Sequence, residues 1–343
     1  MLQKRKNAKN AKTAKKEGKG NKDNLKVWPL YLMIAVALIL YVVLQRIRVL
    51  AIVLGVVIFF LIIIAIVLEV IGGGNDIGYK KSIAEIVVAV VAVILFWYGL
   101  QFFLGTSSPI DVVPSCSMLP YLHRGDMIFL HGVSSVSQIK APVVDVTSSQ
   151  MAKMLSSPNS ESLSCIAYRT NSTGTYIRQT LAPGYTVGLI EDINGVYRLV
   201  SRSEQQSNLV QYSCGTKEVR LSSGQILNEA YTTSITINNK TITGDRNNSI
   251  IVYSTKPGDL FYSEGDSYIV HRAYAVLNDS GNYYILTKGD NNPGLDIQYG
   301  NYPPNMTDVA GKVIGAVPYL GYLKLIISGD LVVPQGCNST VLH

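Results

Sequence analysis

The sequence predicts membrane α-helices plus an all-β domain: three N-terminal transmembrane helices, then a β-rich domain carrying a large β-rich insertion. Three observations point there. Mean hydropathy is +0.22 with only 15% charged residues, unusual for a chain without membrane segments. Residues 28–44, 49–68 and 86–104 form apolar runs, each close to the roughly twenty residues a helix needs to cross a bilayer. From residue 105 onward, short runs rich in Val, Ile, Thr and Tyr are separated by Gly, Asn, Asp and Ser, the pattern of strands and turns.

Charge divides the chain at the same place. Residues 1–104 hold 14 Lys+Arg against 5 Asp+Glu, whereas residues 105–343 hold 16 against 18. The folded part thus lacks the basic excess that nucleic-acid binding needs, and no nucleic-acid partner is expected. Ten of the basic residues fall in 1–26, which has almost no large apolar side chains. That segment is expected to be a disordered cytoplasmic tail that sets topology.

With the tail inside, the membrane domain 27–104 would run in-out, out-in, in-out. Gly72-Gly73-Gly74, Asn75 and Lys80-Lys81 mark a loop over 72–85, and its lysines fall inside as the positive-inside rule prefers. Arg46 and Arg48 fall outside, against that rule. The remainder is expected on the outer face of the cell membrane, where the six Asn-x-Ser/Thr patterns lie, at Asn171, Asn239, Asn247, Asn278, Asn305 and Asn338. Cys165 and Cys214 could pair as a disulfide of an exported domain, which leaves Cys337 over. No His/Cys cluster suggests a metal, and no cofactor is expected.

Within the β-rich part, hairpins are expected over 185–201 at Asn194-Gly195, over 232–243 at Asn238-Asn239-Lys240, and over 274–286 at Asp279-Ser280-Gly281. The apolar stretch 312–333 is broken by Pro318, Lys324 and three glycines. It reads as β structure or a membrane-surface segment, not a fourth span.

The chemistry centres on 109–126. A strand at 110–113 runs into Ser115-Cys116-Ser117-Met118-Leu119-Pro120, and an Arg124-Gly125-Asp126 turn leads to a second strand at 127–130. Small residues at a strand end bend the chain sharply and expose an oxygen, as a nucleophile requires, although serines there are also ordinary turn formers. His271 interrupts the apolar strand Tyr268-Ile269-Val270, which alone reads as a surface histidine. Downstream, Lys288-Gly289-Asp290-Asn291-Asn292-Pro293-Gly294-Leu295-Asp296 supplies two carboxylates. A serine, a histidine and an aspartate at strand ends of one β domain are the parts of a nucleophile, its base and its orienting acid.

These residues resemble type I signal peptidases. Ser115-Cys116-Ser117-Met118-Leu119-Pro120 with His123-Arg124-Gly125-Asp126 is similar to the family's nucleophile box. Ile269-Val270-His271-Arg272 and Thr287-Lys288-Gly289-Asp290-Asn291-Asn292 resemble two further boxes of its archaeal and endoplasmic-reticulum branch, in which histidine replaces the bacterial catalytic lysine. The resemblance covers 105–132 and 251–325, the expected catalytic domain. Residues 133–250 are then an inserted β-rich cap, and 326–343 a C-terminal tail.

The resemblance implies Ser117 as nucleophile, His271 as general base and Asp296 as orienting carboxylate. Asp290 is a second acidic position, either catalytic or fixing its turn. Oxyanion stabilisation would come from the Ser117 backbone N–H and the Ser115 hydroxyl. Ile110, Val112 and Met118 would line the substrate path, with strand 110–113 pairing with the peptide. The implied partners are signal peptides of exported preproteins and the lipid bilayer, with the protein-export channel left open. Small residues are implied one and three positions before the cut.

Cys116 stands where the family has glycine, which puts the bend at Ser117 in question. The alternatives are a catalytically inactive surface or assembly protein on the same fold, and a Ser/Lys dyad using Lys288 or Lys256.

Overall fold

Long apolar stretches fold as helices because every backbone polar group is then satisfied within its own segment. α1 (Trp28–Leu44), α2 (Arg48–Ile77) and α3 (Tyr79–Leu104) follow one another in the computed structural model. It describes residues 28–45, 47–77, 79–156, 168–171, 176–178, 190–193, 196–199, 209–330, 332–334, 337 and 339–342. The basic tail 1–26, Arg46, Cys165 and the Asn194-Gly195 turn lie outside the described residues, as does the side chain of Cys214.

Two stretches of these helices, Arg48–Leu68 and Val87–Leu104, are long and apolar enough to cross a membrane, while α1 is apolar but shorter at 17 residues. The loop expected over 72–85 is helical over its described residues, since α2 continues to Ile77 and α3 starts at Tyr79. Glycine in a helix costs only about 1 kcal/mol, so three glycines do not by themselves break one. Residues 1–99 and 318–323 form one unit. In it α1 packs on α2, Tyr41 donates its hydroxyl to the Pro318 carbonyl, and the Arg48 guanidinium lies 5.4 Å from the Tyr322 ring centroid.

The second unit, residues 100–317 and 324–343, is β-rich. In chain order its elements are β1 (Ile110–Val112), β2 (Met127–His131), β3 (Val143–Asp145), α4 (Ser148–Ser156), β4 (Tyr168–Asn171), β5 (Tyr176–Arg178), β6 (Ile190–Ile193) and β7 (Val196–Leu199). Then come β8 (Gln211–Leu221), β9 (Ile226–Ile237), β10 (Lys240–Thr243), β11 (Ile250–Ser254), α5 (Leu260–Ser263), β12 (Tyr268–Asp279) and β13 (Asn282–Lys288). β14 (Val309–Val317), α6 (Tyr322–Ile327) and β15 (Ser339–Val341) complete the chain.

The main sheet has the order β1-β2-β14-β11-β12-β13, with β3 parallel to the far half of β12. Among the described residues β1 pairs only with β2 and so forms an edge. A second sheet, β15-β8-β9-β4-β5 with β10 on β9, comes mostly from the segment expected as a cap. The 312–333 stretch is the end of β14 followed by the short α6.

All three expected hairpins have their strands paired: β6 with β7, β9 with β10, and β12 with β13. The described turns use left-handed residues, Asn238 (φ 48°) and Asn239 (φ 64°), then Ser280 (φ 50°) and Gly281 (φ 94°). Two consecutive residues of that kind match the right-handed twist of the flanking strands.

The segment 133–250 does not stand apart from the main sheet. β3 lies in that sheet, and Met151 and Met154 of α4 and Ile235 and Ile237 of β9 are packed in one core with Leu277, Leu286, Leu295 and Ile297. This segment therefore packs on the strands and turn that carry His271 and Asp296.

Candidate active site

A three-residue strand, a bend and a turn place the serines. β1 ends at Val112, and Val113 continues with backbone bonds to Asp126 and Gly125 that close the loop between β1 and β2. Met118, Leu122, Ile128 and Leu130 anchor that loop in a core cluster with Val252 and Val270. Met118 is 0% exposed, so its side chain belongs to the core and not to a substrate path, a correction to the sequence expectation. The turn after Ser117 points it inward, where an apolar side chain gains most from leaving water. Ile110 is half-buried, and Val112 is buried.

The loop carrying Ser115 and Ser117 is held by the 289–292 turn. The Asn291 N–H donates to the Ser117 carbonyl at 2.7 Å, and its side-chain amide donates to the Cys116 carbonyl at 3.2 Å. Gly289 is required here, because a Cβ at that position would stand 2.8 Å from the Ser117 carbonyl oxygen. The hydroxyls of Ser115 and Ser117 are 3.1 Å apart.

Cys116 does not have positive φ, so the bend needs no left-handed residue; its sulfur is bonded to Cys337. Cys337 is thus not left over, and the distance along the chain, 221 residues, is why sequence reading missed the pair.

His271 lies on β12 opposite Ile251 of β11 and is 2% exposed. Its Nδ1 is 2.7 Å from Asp296 Oδ2. The same oxygen accepts from Thr287 Oγ1 at 2.6 Å and from Tyr253 Oη at 2.9 Å. Burial, and then the Asp296 charge, push the Tyr253 phenol well above its ordinary range, so it stays protonated and acts as a donor. Asp296 opens a 3-10 helix, Asp296–Tyr299, and its backbone carbonyl accepts from the Asn301 side chain at 3.1 Å. Phe261 closes one side of the imidazole, edge to face at 5.8 Å.

Ser115, Ser117 and His271 line one cleft of about 220 Å3, together with Phe261, Glu264 and Asp266. Desolvation, and then the neighbouring Asp266, raise the Glu264 carboxyl; desolvation and Asp330 raise Asp266, which His271 partly offsets. Nδ1 being engaged by Asp296, Nε2 is the ring nitrogen left to serve a hydroxyl in the cleft.

Asp290 is placed elsewhere. Its carboxylate forms a two-point pair with Arg272, at 2.8 and 2.7 Å. It lines a separate cavity of about 190 Å3, bordered by Lys217, Arg246 and Tyr231. Lys288 sits beside that cavity, donating to Tyr231 Oη and to the Gly289 and Asn292 carbonyls. Lys256 pairs with Asp308 at 2.6 Å. Neither lysine lines the cleft. Among the described residues, no group of three or more His, Cys, Asp and Glu is arranged to hold a metal ion.

A serine hydroxyl, a buried imidazole and a carboxylate bonded to that imidazole are, chemically, the parts of a serine hydrolase acting by acyl transfer. Comparison with known proteins leads to a narrower group. The chain is similar to the signal peptidase complex catalytic subunit SEC11 of Zygosaccharomyces rouxii, 46% identical over 65 residues, which is 18% of this chain and 39% of the relative.

It is also similar to the SEC11 subunits of Lachancea thermotolerans, 39% over 90 residues (24% of this chain, 54% of the relative), and Eremothecium gossypii, 40% over 81 residues (21% and 48%). The chain spans about half or less of the length of these curated relatives. None of the three is archaeal. No family model matches the chain.

Proposed function

We propose that this protein is a membrane-anchored serine endopeptidase of the signal peptidase type. In this reading it cuts an exported preprotein between its apolar segment and its mature part. The observation that carries the reading is the buried His271–Asp296 pair at 2.7 Å, whose histidine lines the same cleft as Ser117. The similarity to SEC11 subunits supports it.

Ser117 Oγ attacks the scissile carbonyl carbon while His271 Nε2 takes its proton. Asp296 holds Nδ1–H and balances the imidazolium that forms. The tetrahedral oxyanion accepts hydrogen bonds from the Ser117 backbone N–H and the Ser115 hydroxyl, which strengthen as charge develops. Collapse breaks the C–N bond, and His271 gives its proton to the leaving amine. Water, deprotonated by His271, then hydrolyses the Ser117 ester and restores the enzyme.

The peptide adds as a strand to the open edge of β1, with Ile110 and Val112 setting its register. Three helices anchor the catalytic unit outside the membrane with the basic tail inside. Because the relatives are subunits of a complex, partner subunits are included in this proposal. Asp290 serves the site indirectly, by holding Arg272 and the 289–292 turn.

The test is product identity. Purified full-length protein in lipid vesicles is incubated with a radiolabelled preprotein, and the new N terminus is sequenced. A single cut after a small residue, just beyond the apolar segment, is expected. No cut, or cuts scattered through the mature part, overturns the assignment.

A further inference from the structure

Three kinds of bond converge on residues 114–117, and all three lead to the C-terminal arm. The first is covalent: Cys116 and Cys337 form a disulfide with Cα atoms 4.9 Å apart. The second passes through Arg124, which is 4% exposed. Its Nε donates to the Pro114 carbonyl at 2.8 Å, and its Nη2 to the Asp330 and Val332 carbonyls at 2.7 and 3.1 Å. The third passes through Asn291. Its amide nitrogen donates to the Cys116 carbonyl and, at 2.8 Å, to the Ser339 carbonyl, while its side-chain oxygen accepts the Val341 N–H at 2.8 Å. Its own N–H holds the Ser117 carbonyl.

Beyond these bonds, β15 is paired with β8 of the second sheet, and Pro334 forms part of the wall of the Ser117 cleft. The arm is thus bound to the loop carrying the serine on its Pro114, Cys116 and Ser117 backbone. Cys116 is buried while Cys337 is half-buried, so an external thiol reaches the Cys337 sulfur more easily.

We propose that the C-terminal arm is a positioning element for Ser117 and that the Cys116–Cys337 disulfide is its lock, opened by a dithiol. The proposal rests on the assignment of Ser117 as nucleophile. In the opening step a dithiol's thiolate attacks the Cys337 sulfur and releases Cys116 as a thiolate. The dithiol's second thiolate then displaces Cys337 and closes its own ring disulfide. Two electrons pass from the dithiol to the protein disulfide, and protons from water complete the two cysteine thiols. Asn291, Arg124 and the β15–β8 pairing then hold the arm without a covalent link to the loop, and the Ser117 loop samples conformations in which its hydroxyl is misplaced. Small displacements of a reacting group are enough to cost a large factor in rate.

The experiment uses the full chain in vesicles with a preprotein substrate, under single-turnover conditions, with and without dithiothreitol. Hydrogen exchange of peptides covering 113–119 is followed in parallel. We expect the reduced wild type to cleave at least tenfold more slowly, with little change in KM and an intact fold by circular dichroism. Exchange around Ser117 should rise, and reoxidation should restore both readouts. The C116S/C337S variant should be slow from the start and indifferent to dithiothreitol.

Equal rates in the two redox states, unchanged exchange around Ser117, or a dithiothreitol effect that persists in C116S/C337S each overturns the proposal. Ser117→Ala run alongside separates the two failures. If that variant cleaves like the wild type, the nucleophile assignment has failed, whereas the exchange arm still reports on the lock.

Discussion

Replacing Asp296 by Asn exchanges one carboxylate oxygen for an NH2 group and tests how the imidazole is held. Asp296 Oδ2 accepts from His271, Thr287 and Tyr253, and Oδ1 is buried without a hydrogen-bond partner. The asparagine oxygen fits the Oδ2 position and keeps three acceptor contacts, each weaker by about 1 kcal/mol because the acceptor is no longer charged. Its NH2 then falls at the Oδ1 position, where a buried donor without a partner costs about 1–3 kcal/mol. Against this, a buried carboxylate carries a desolvation cost of several kcal/mol that the amide avoids.

These terms oppose one another, so folding stability should change by no more than about 2 kcal/mol. The rate has no such offset, because the negative charge facing the imidazolium is needed only as the transition state forms. Loss of that charge, and the weaker hold of a neutral oxygen on Nδ1–H, is worth up to roughly 10^4-fold in kcat, about 5.5 kcal/mol of barrier. The assay is single-turnover cleavage of a preprotein, with thermal unfolding measured on the same samples. A kcat within tenfold of wild type, with the fold intact, would refute the role given to Asp296.

Asp290→Asn should do the reverse: removing one partner of the buried Arg272 pair costs about 3 kcal/mol of stability while lowering kcat far less than Asp296→Asn, as thermal melts and rates on both variants will show. Ser115→Ala should reduce kcat roughly 100-fold with KM little changed, the size of one lost oxyanion donor; an unchanged kcat leaves Ser115 as a turn residue only. Desolvation raises the Asp266 carboxyl in the folded protein above its unfolded value, so the folded state binds more protons across that window. The contribution of Asp266 to stability then falls as pH rises above about 4. Asp266→Asn should therefore match the wild type below about pH 4 and exceed it at pH 7, and identical pH profiles of unfolding would contradict the shift.

Much of this site could be read from the sequence because its parts sit in short local signals. Ser117 follows a strand and a bend, and Asp296 follows a turn rich in Gly, Asn and Pro. The described hairpin turns announce themselves through Asn238-Asn239 and Ser280-Gly281, which tolerate left-handed backbone.

What escaped depends on register and long-range packing. Tyr253 is an ordinary strand tyrosine until β11 pairs it with Ile269, two positions from His271 on the same face. Thr287 reaches Asp296 only because β13 ends beside that turn. Arg272, next to His271 on β12, faces away from it and takes Asp290 with it. Met118, beside the nucleophile, has no local feature that reveals it turns into the core. Residues 133–250 read as a cap, yet their Ile235 and Ile237 share a core with Leu286 and Leu295.

The most direct measurement of the central claim is the single-turnover cleavage rate of Ser117→Ala in the full chain in vesicles, on a preprotein the wild type cuts. Removal of the nucleophile should lower the rate by roughly 10^6-fold, to background, with thermal stability and circular dichroism unchanged. Cleavage within tenfold of wild type, at the same bond, would show that another group attacks the peptide and would contradict the mechanism.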